Sequence, residues 1–537
     1  MRSQPIGRQT GSSALLKRVR RGGGRRTPPA LLALASLTAL GVLIPLLYLL
    51  LRATQAEPAA LLEILWRIRN LELLLNTLLL LLGVLVFSTL IALPLAWLLT
   101  RSDLPLRRWL VFVGVLPLAV PGYVGAYAML AATGSGGVIE LLTGLNWPRP
   151  SGYWGALGVL TLFGFPYLFL NFWTTLSGLD PSLEDAARSL GLRPWAVFWR
   201  VIWPQLQPAL YAGGLLLGLH VLGDFGVVSL MRFETFSYAI YIQYSAAFDR
   251  VYAAWLSLML LVLTGAALVL EARLMRNVRL ARVGIGAARA AQVVRLNWWQ
   301  AALALGLIGL IAGASLIVPL GTVLYWLTRH AVSSGGLLEA GLNSVWAAGP
   351  AALLAVLLAL PLAYLGVRFP SWSSRLLERT AYLGYATPPL ALALAFVFFS
   401  LQTLPLLYQT LTLLVIALAL HFLAEAIGPI RAALHQVPVR LEEAARGLGV
   451  SPGAAFVRVT LPLVWRGVVS SLALVFLSSL KELPISFLLS PVGFDTLAKR
   501  IWGYTSEAMF AEAAPYALCI VLISSVLAGM VLVRGRQ

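Results

Sequence analysis

The chain has 537 residues, is 59% hydrophobic and only 11% charged, and carries a formal net charge of +19. Soluble globular chains are about one-quarter charged, and disordered chains need low hydrophobicity, so both classes are excluded. A single cysteine, Cys519, excludes a secreted disulfide scaffold. A polytopic membrane protein remains, and its positive charge must then be confined to particular places.

A membrane-spanning helix needs about 20 mostly apolar residues. Twelve candidates follow one another along the chain: residues 30–51, 73–99, 109–131, 153–177, 208–230, 252–271, 300–327, 343–367, 380–401, 405–427, 467–490 and 515–533. The run at 405–427 is the least regular, because His421 and Glu425 stand near its end. Lipid offers the backbone no hydrogen-bond partners, so only helices or a closed barrel can cross. The unbroken apolar run from Leu73 to Leu85 lacks the alternation of a barrel strand. The expected fold class is an all-α polytopic membrane protein with about twelve transmembrane helices.

Residues 1–26 contain Arg2, Arg8, Lys17, Arg18, Arg20, Arg21, Arg25 and Arg26. A basic stretch before an apolar run resembles a signal peptide. The run from Pro29 to Leu51 exceeds the roughly 7–15 residues of a signal core, and no small-residue cleavage site follows it. The expectation is a basic cytoplasmic tail, 1–29, ahead of an uncleaved first helix.

Lys and Arg in short loops mark the cytoplasmic side. They assign 1–29, 100–108, 178–207, 272–299, 368–379, 428–466 and 534–537 to that side, with both termini inside. Segment 272–299 alone holds Arg273, Arg276, Arg279, Arg282, Arg289 and Arg295, whereas the opposite connection at 402–404 is uncharged. The arginines follow topology, so no nucleic-acid partner is expected; the bilayer is.

The chain repeats itself. Ala92-Leu93-Pro94-Leu95-Ala96 with Arg101 recurs, shifted by 267, as Ala359-Leu360-Pro361-Leu362-Ala363 with Arg368. Asn76 maps onto Asn343 and Pro121 onto Pro388 at the same shift. Residues 183–204 and 441–462, shifted by 258, share 13 of 22 residues without a gap. The difference, 267 − 258 = 9, is an insertion between Pro121 and Leu183, where the Gly-rich stretch Thr133 to Val138 lies. Corresponding spans are six apart, so the halves point the same way, as parallel repeats about an axis along the membrane normal. The expected halves are 30–275, with a loop at 180–204, and 300–537, with a loop at 438–462. A basic linker, 276–299, joins them.

The doubled loop has its own local logic. Asp180 can cap a helix that starts at Pro181. Glu184, Ala187, Arg188 and Gly191 then fall on one face, and Gly191 ends the helix. A second short helix is expected from Pro194 to near Pro204, and Ser451 with Pro452 repeats the device in the other half. A plain connector would not need this pattern twice at the same spacing, so each loop is read as a docking surface.

These residues resemble the EAA loop of ABC-importer permeases: Glu-Ala-Ala, three residues, Gly, nine residues, an aliphatic residue, any residue, then Leu-Pro. The second copy reads Glu443-Ala444-Ala445, Gly449, Val459, Leu461-Pro462. The first departs in Asp185 and Trp203 but keeps Ala186, Ala187, Gly191 and Pro204. The resemblance implies ATPase coupling by Glu184, Asp185, Ala186, Ala187, Gly191, Pro204, Glu442, Glu443, Ala444, Ala445, Gly449 and Pro462. It also implies two copies of a cytoplasmic ABC ATPase subunit, a periplasmic or lipid-anchored solute-binding protein, and a bacterial inner membrane. ATP would be used by the partner subunits, with no cofactor, metal or catalytic residue in this chain. In keeping with a transport subunit, a Walker A site needs a lysine after glycine, and none of Lys17, Lys481 and Lys499 follows one. Gly284-Ile285-Gly286 lacks the third glycine of a dinucleotide loop, and His220, His330, His421 and His435 are scattered along the chain.

Gly223-Asp224-Phe225-Gly226 and Lys481-Glu482-Leu483-Pro484 occupy equivalent positions at the ends of paired spans. Ionisable groups there are functional candidates, so Asp224, Lys481 and Glu482 are read as a translocation path or gate. A hydrated scaffold role is equally open. With Asp495-Thr496-Leu497-Ala498 further on, the pattern resembles the fused, double-length permeases of ferric-iron importers. That resemblance implies ferric iron as substrate. Related permeases import thiamine, phosphonate, polyamine or inorganic anions, and a secondary transporter driven by an ion gradient shares the span count without the doubled motif.

Overall fold

A computed structural model describes residues 28–55, 63, 67–276, 293–329 and 336–534. The basic tail through residue 27 and the linker residues 277–292, with Gly284 to Gly286, lie outside the described residues. Among the described residues, every regular element is a helix except an isolated bridge between Ser102 and Val294.

The first half comprises α1 (Pro29–Ala53), α2 (Ile68–Arg101), α3 (Arg107–Ala119), α4 (Gly122–Ala132), α5 (Gly152–Gly178), α6 (Pro181–Ser189), α7 (Pro194–Gly223), α8 (Gly226–Leu230), α9 (Phe236–Ser245) and α10 (Arg250–Arg276). The link from α4 to α5, residues 133–151, contains a short helix Val138–Thr143 and lies within the interval of the nine-residue insertion. The second half follows as α11 (Trp298–Thr328), α12 (Leu337–Arg368), α13 (Trp372–Ala386), α14 (Pro389–Thr403), α15 (Leu411–His421), α16 (Leu423–Gln436), α17 (Val439–Gly447), α18 (Pro452–Lys481), α19 (Pro484–Leu489), α20 (Leu497–Ser506) and α21 (Phe510–Arg534).

Eight helices are long and apolar enough to cross a membrane alone: α1, α2, α5, α7, α10, α11, α12 and α18. Three helix pairs are long and apolar enough only when taken together, each a broken span or a re-entrant loop: α3 with α4 bent by 97°, α13 with α14 by 105°, and α15 with α16 by 51°. The last apolar stretch, Phe510–Val526 in α21, is shorter. Each of the twelve expected runs therefore meets helical structure, but those at 109–131, 380–401 and 405–427 are broken rather than straight. Pro121 lies between α3 and α4, and Pro388 between α13 and α14. Proline has no amide hydrogen and its ring clashes with the preceding turn, which breaks a helix there. The expected runs 208–230 and 467–490 are also interrupted: α7 stops at Gly223 and α18 at Lys481, each followed by a separate short helix.

A further expectation fails in the motifs. The second helix of each loop does not stop near Pro204 or Pro462. It passes through a wide π-type turn, Phe198–Ile202 or Phe456–Thr460, and continues as a span. The altered hydrogen-bond register lets the chain pass a proline without breaking.

The exposed face of α2 carries Leu71, Leu75, Leu79, Leu82, Val86 and Leu90 in one stripe at helical spacing, suited to lipid. The broken arms are the reverse. Residues 390–398 of α14 are all buried, so the polar backbone at the breaks is enclosed by protein. The first helix of each half crosses to the other: α1 packs on α12, α13 and α14, and α11 packs on α3 and α4. The Trp326 indole of α11 donates to the Ala131 carbonyl of α4. The sequence repeats are thus interlocked in space.

Gly384 lets α13 and α15 approach closely. An added Cβ would meet the Leu420 carbonyl oxygen at 2.5 Å. Gly384→Val is expected to destabilise the protein by about 1–3 kcal/mol, read as a lower melting temperature in detergent.

Candidate coupling motifs and translocation cavity

The motif helices form as their local chemistry directs. The Asp180 carboxylate accepts from the Ser182 amide at 2.9 Å, and the Ser451 hydroxyl accepts from the Ala454 amide at 3.4 Å. Gly191 and Gly449 adopt φ of +83° and +87°, the left-handed conformation that ends each helix.

The candidate coupling residues divide into two groups. Glu184 and Glu442 are buried, each in an ion pair with the last residue of the long span in its own half. Arg101 reaches Glu184 at 2.9 Å, and Arg368 reaches Glu442 at 3.0 Å. The sequence shows Arg101 and Arg368 only as a repeated pair and does not point to these partners. Ala187 is buried beside Glu184, Ala445 is half-buried, and Arg188 touches Glu184 at 3.8 Å. Asp185, Ala186, Gly191, Glu443, Ala444 and Gly449 face outward, and Pro204 and Pro462 are exposed beyond the π-type turns. Leu190 and Leu448, 83% and 86% exposed, add a large apolar side chain to the outer face of each copy.

The two anchors differ in strength. Glu442 also accepts from the Tyr364 hydroxyl at 2.8 Å and the Thr460 hydroxyl at 2.9 Å. The first half has Trp97 and Ile202 at those positions and offers neither hydroxyl.

Between the halves lies a cavity of about 200 Å³. Asp224 reaches it from the end of α7, and Lys481 and Glu482 from the end of α18. The three residues read together from sequence are thus brought together in space. Asp224 Oδ1 accepts from the Val227 amide at 2.9 Å, and Glu482 Oε1 from the Ile485 amide at 3.4 Å, so each acid also caps the helix after the break. Lys481 Nζ donates to the Leu118 carbonyl of the other half at 3.5 Å.

Three further contributors stay hidden in the sequence. Glu425, an irregularity in the run 405–427, lines the cavity and accepts from the Ser478 hydroxyl at 2.7 Å. His220 and His421, scattered in sequence, both line the cavity as well. The Pro-bearing breaks at Pro121 and Pro388 were the available signal, because broken spans turn side chains and backbone into such spaces. Three carboxylates therefore face one ammonium. Among the described residues, no three His, Cys, Asp or Glu side chains are grouped to hold a metal ion.

A cluster of aromatic rings borders the cavity at Phe225. The end of α5 leads into the first motif, and Gly152, at its other end, donates to the Met231 carbonyl. The chain from Asp224 to Met231 therefore leads away from the motifs. Along that path Phe225 packs on Tyr241 at 4.9 Å and on Trp502 at 5.6 Å, and Phe487 packs on Trp502 at 5.0 Å. Two rings come from each half. The Trp502 indole donates to the Ser229 hydroxyl at 2.9 Å, which ties the halves together.

The family described as binding-protein-dependent transport system inner membrane component matches residues 88–280 and 351–534, one copy around each motif. The chain belongs to this family. It is a double-length member of these binding-protein-dependent permeases, a multi-pass inner-membrane transport subunit. The Fe(3+)-transport system permease protein FbpB 2 of Haemophilus influenzae is 34% identical over 507 residues, 94% of this chain and 97% of that protein. The molybdenum transport system permease protein ModB of Escherichia coli is 33% identical over 133 residues, 24% of this chain and 58% of ModB. A probable sulfate transport system permease protein, cysT, of Marchantia polymorpha is 29% identical over 149 residues, 27% of this chain and 51% of its own length.

In this permease, Glu442→Ala would leave Arg368 buried without its main partner. It is expected to cost about 3–5 kcal/mol of stability, whereas Arg188→Ala, removing a half-exposed partner, is expected to cost at most about 1 kcal/mol. Thermal unfolding in detergent compares the two.

Proposed function

We propose that this chain supplies both halves of the pore of an ATP-driven ABC importer that carries ferric iron into the cytoplasm from a periplasmic or lipid-anchored binding protein. The observation that carries the reading is the end-to-end similarity to the Fe(3+)-transport permease, 97% of whose length is matched. The cavity supports it independently. Asp224, Glu425 and Glu482 beside Lys481 give the cavity three carboxyl groups to one amine, oxygen donors that suit a hard cation better than an oxyanion. The relatives named for molybdenum and sulfate match only about a quarter of this chain.

In this reading both termini and both motifs face the cytoplasm. Each motif seats the outward Asp185-Ala186 or Glu443-Ala444 and the adjacent leucine in one ATPase subunit. The buried Arg101–Glu184 and Arg368–Glu442 pairs carry the motif's displacement into α2 and α12. When the ATPases close on ATP, the motifs approach and the rings at the far end part. The ion then enters from the binding protein and meets the acids beside Lys481. ATP hydrolysis restores the closed ring cluster, and the ion leaves toward the motifs.

Two measurements test this. A β-branched side chain is strained in the left-handed region, so Gly191→Val combined with Gly449→Val is expected to abolish uptake while membrane insertion persists. Undiminished uptake removes the coupling role. Vesicles containing the permease, its ATPase and its binding protein are expected to accumulate radioactive ferric iron only with ATP. Accumulation of molybdate or sulfate instead contradicts the substrate.

A further inference from the structure

A second cavity, of about 760 Å³, lies apart from the translocation route. It opens between the start of α1, the middle of α12 and the second motif. Its walls are apolar, with Leu31, Leu34 and Leu37 from α1 and Leu357, Leu358 and Leu360 from α12. Leu34, Leu37 and Leu357 are more than half exposed, so the cavity is continuous with the lipid-facing surface. Its polar end is formed by Tyr364, Glu442 and Arg446. Glu442 is already neutralised by Arg368 and bonded by Tyr364 and Thr460. The exposed guanidinium of Arg446 is the remaining charge of the lining.

We propose that this cavity binds one anionic phospholipid, with an acyl chain between α1 and α12 and the headgroup phosphate on Arg446. Apolar walls at lipid depth favour an acyl chain, and a space without convergent polar groups does not hold ordered water. The N-terminal tail is a poor occupant, because its arginines would be placed against leucines. The same tail makes an anionic lipid the better choice: Arg25 and Arg26 directly precede the cavity's Pro28 region in sequence, and each such cation near the membrane attracts anionic lipid.

The two halves differ at this place. At the positions of Gly453 and Ala455 the first half carries the bulkier Trp195 and Val197, and the counterpart of Arg446 is Arg188, which is engaged by Glu184. The lipid would rest on Gly453 and Phe456, which belong to the second motif itself. Lipid occupancy would therefore brace that motif alone. The headgroup's place on the cytoplasmic leaflet rests on the orientation proposed above.

The test uses the purified full-length chain and native mass spectrometry with phosphatidylglycerol or phosphatidylcholine. The unaltered chain is expected to retain one phosphatidylglycerol and to discriminate against phosphatidylcholine. Arg446→Gln is expected to weaken retention about fivefold, the equivalent of roughly 1 kcal/mol. Gly453→Leu is expected to displace the lipid by filling the cavity; an added Cβ there meets nothing within 4 Å, so the fold tolerates it. Arg188→Gln is expected to leave retention unchanged. Equal retention of both lipids, or undiminished retention in both Arg446→Gln and Gly453→Leu, overturns the proposal. The measurement involves neither iron nor ATP, so its failure is separate from failure of the transport reading.

Discussion

The buried ion pair at the base of each half governs the rest of the structure. Arg101 and Arg368 lie in the last turns of α2 and α12, and Glu184 and Glu442 in the first turns of α6 and α17. Each charge thus sits at the helix end whose dipole suits it. A buried charge is tolerated only when paired, and removing one partner costs several kcal/mol. The motif helix is therefore fixed to the span, and its outer face stays exposed. A short exposed helix held only by its connections would have yielded locally instead of moving α2 or α12.

A second constraint comes from lipid. Backbone groups can be released from a helix within the membrane only where protein or a cavity receives them. The breaks at Val120-Pro121 and Thr387-Pro388 satisfy this, because α4 and α14 are enclosed by the rest of the molecule. The breaks after Gly223 and Lys481 open the same interior, and Asp224 and Glu482 turn into it while capping α8 and α19. The same breaks thus create the cavity and supply its charges. The interlocked α1 and α11 hold the halves together around it while each motif remains at the periphery.

Much of this was legible in the sequence because it is repeated or compositional. Apolar runs gave the spans, and the doubled block at 183–204 and 441–462 gave the motifs, their caps and their terminal glycines. What was hidden depends on distance along the chain. Arg368 and Glu442 are 74 residues apart, and nothing local in either directs it to the other. Lys481 and Leu118 are 363 residues apart. Glu425 read as a flaw in a span because hydropathy does not report a bend, and no proline marks the break at Phe422. Pro121 and Pro388 match as repeats, and their effect on helix geometry is the local signal for the breaks. The crossing of α1 and α11 leaves no trace in either helix, since both are simply apolar.

In the proposed cycle, motion of the motifs opens the aromatic cluster that joins the halves. Paired spin labels test it directly, on Gln243→Cys in α9 and Glu507→Cys just after α20, with Cys519 replaced by serine. The distance between the labels is measured in the permease–ATPase complex without nucleotide and in a trapped ATP-bound state. The account predicts that this distance increases as labels on the two motifs draw together. A motif distance that shortens while the Gln243–Glu507 distance stays constant would contradict it.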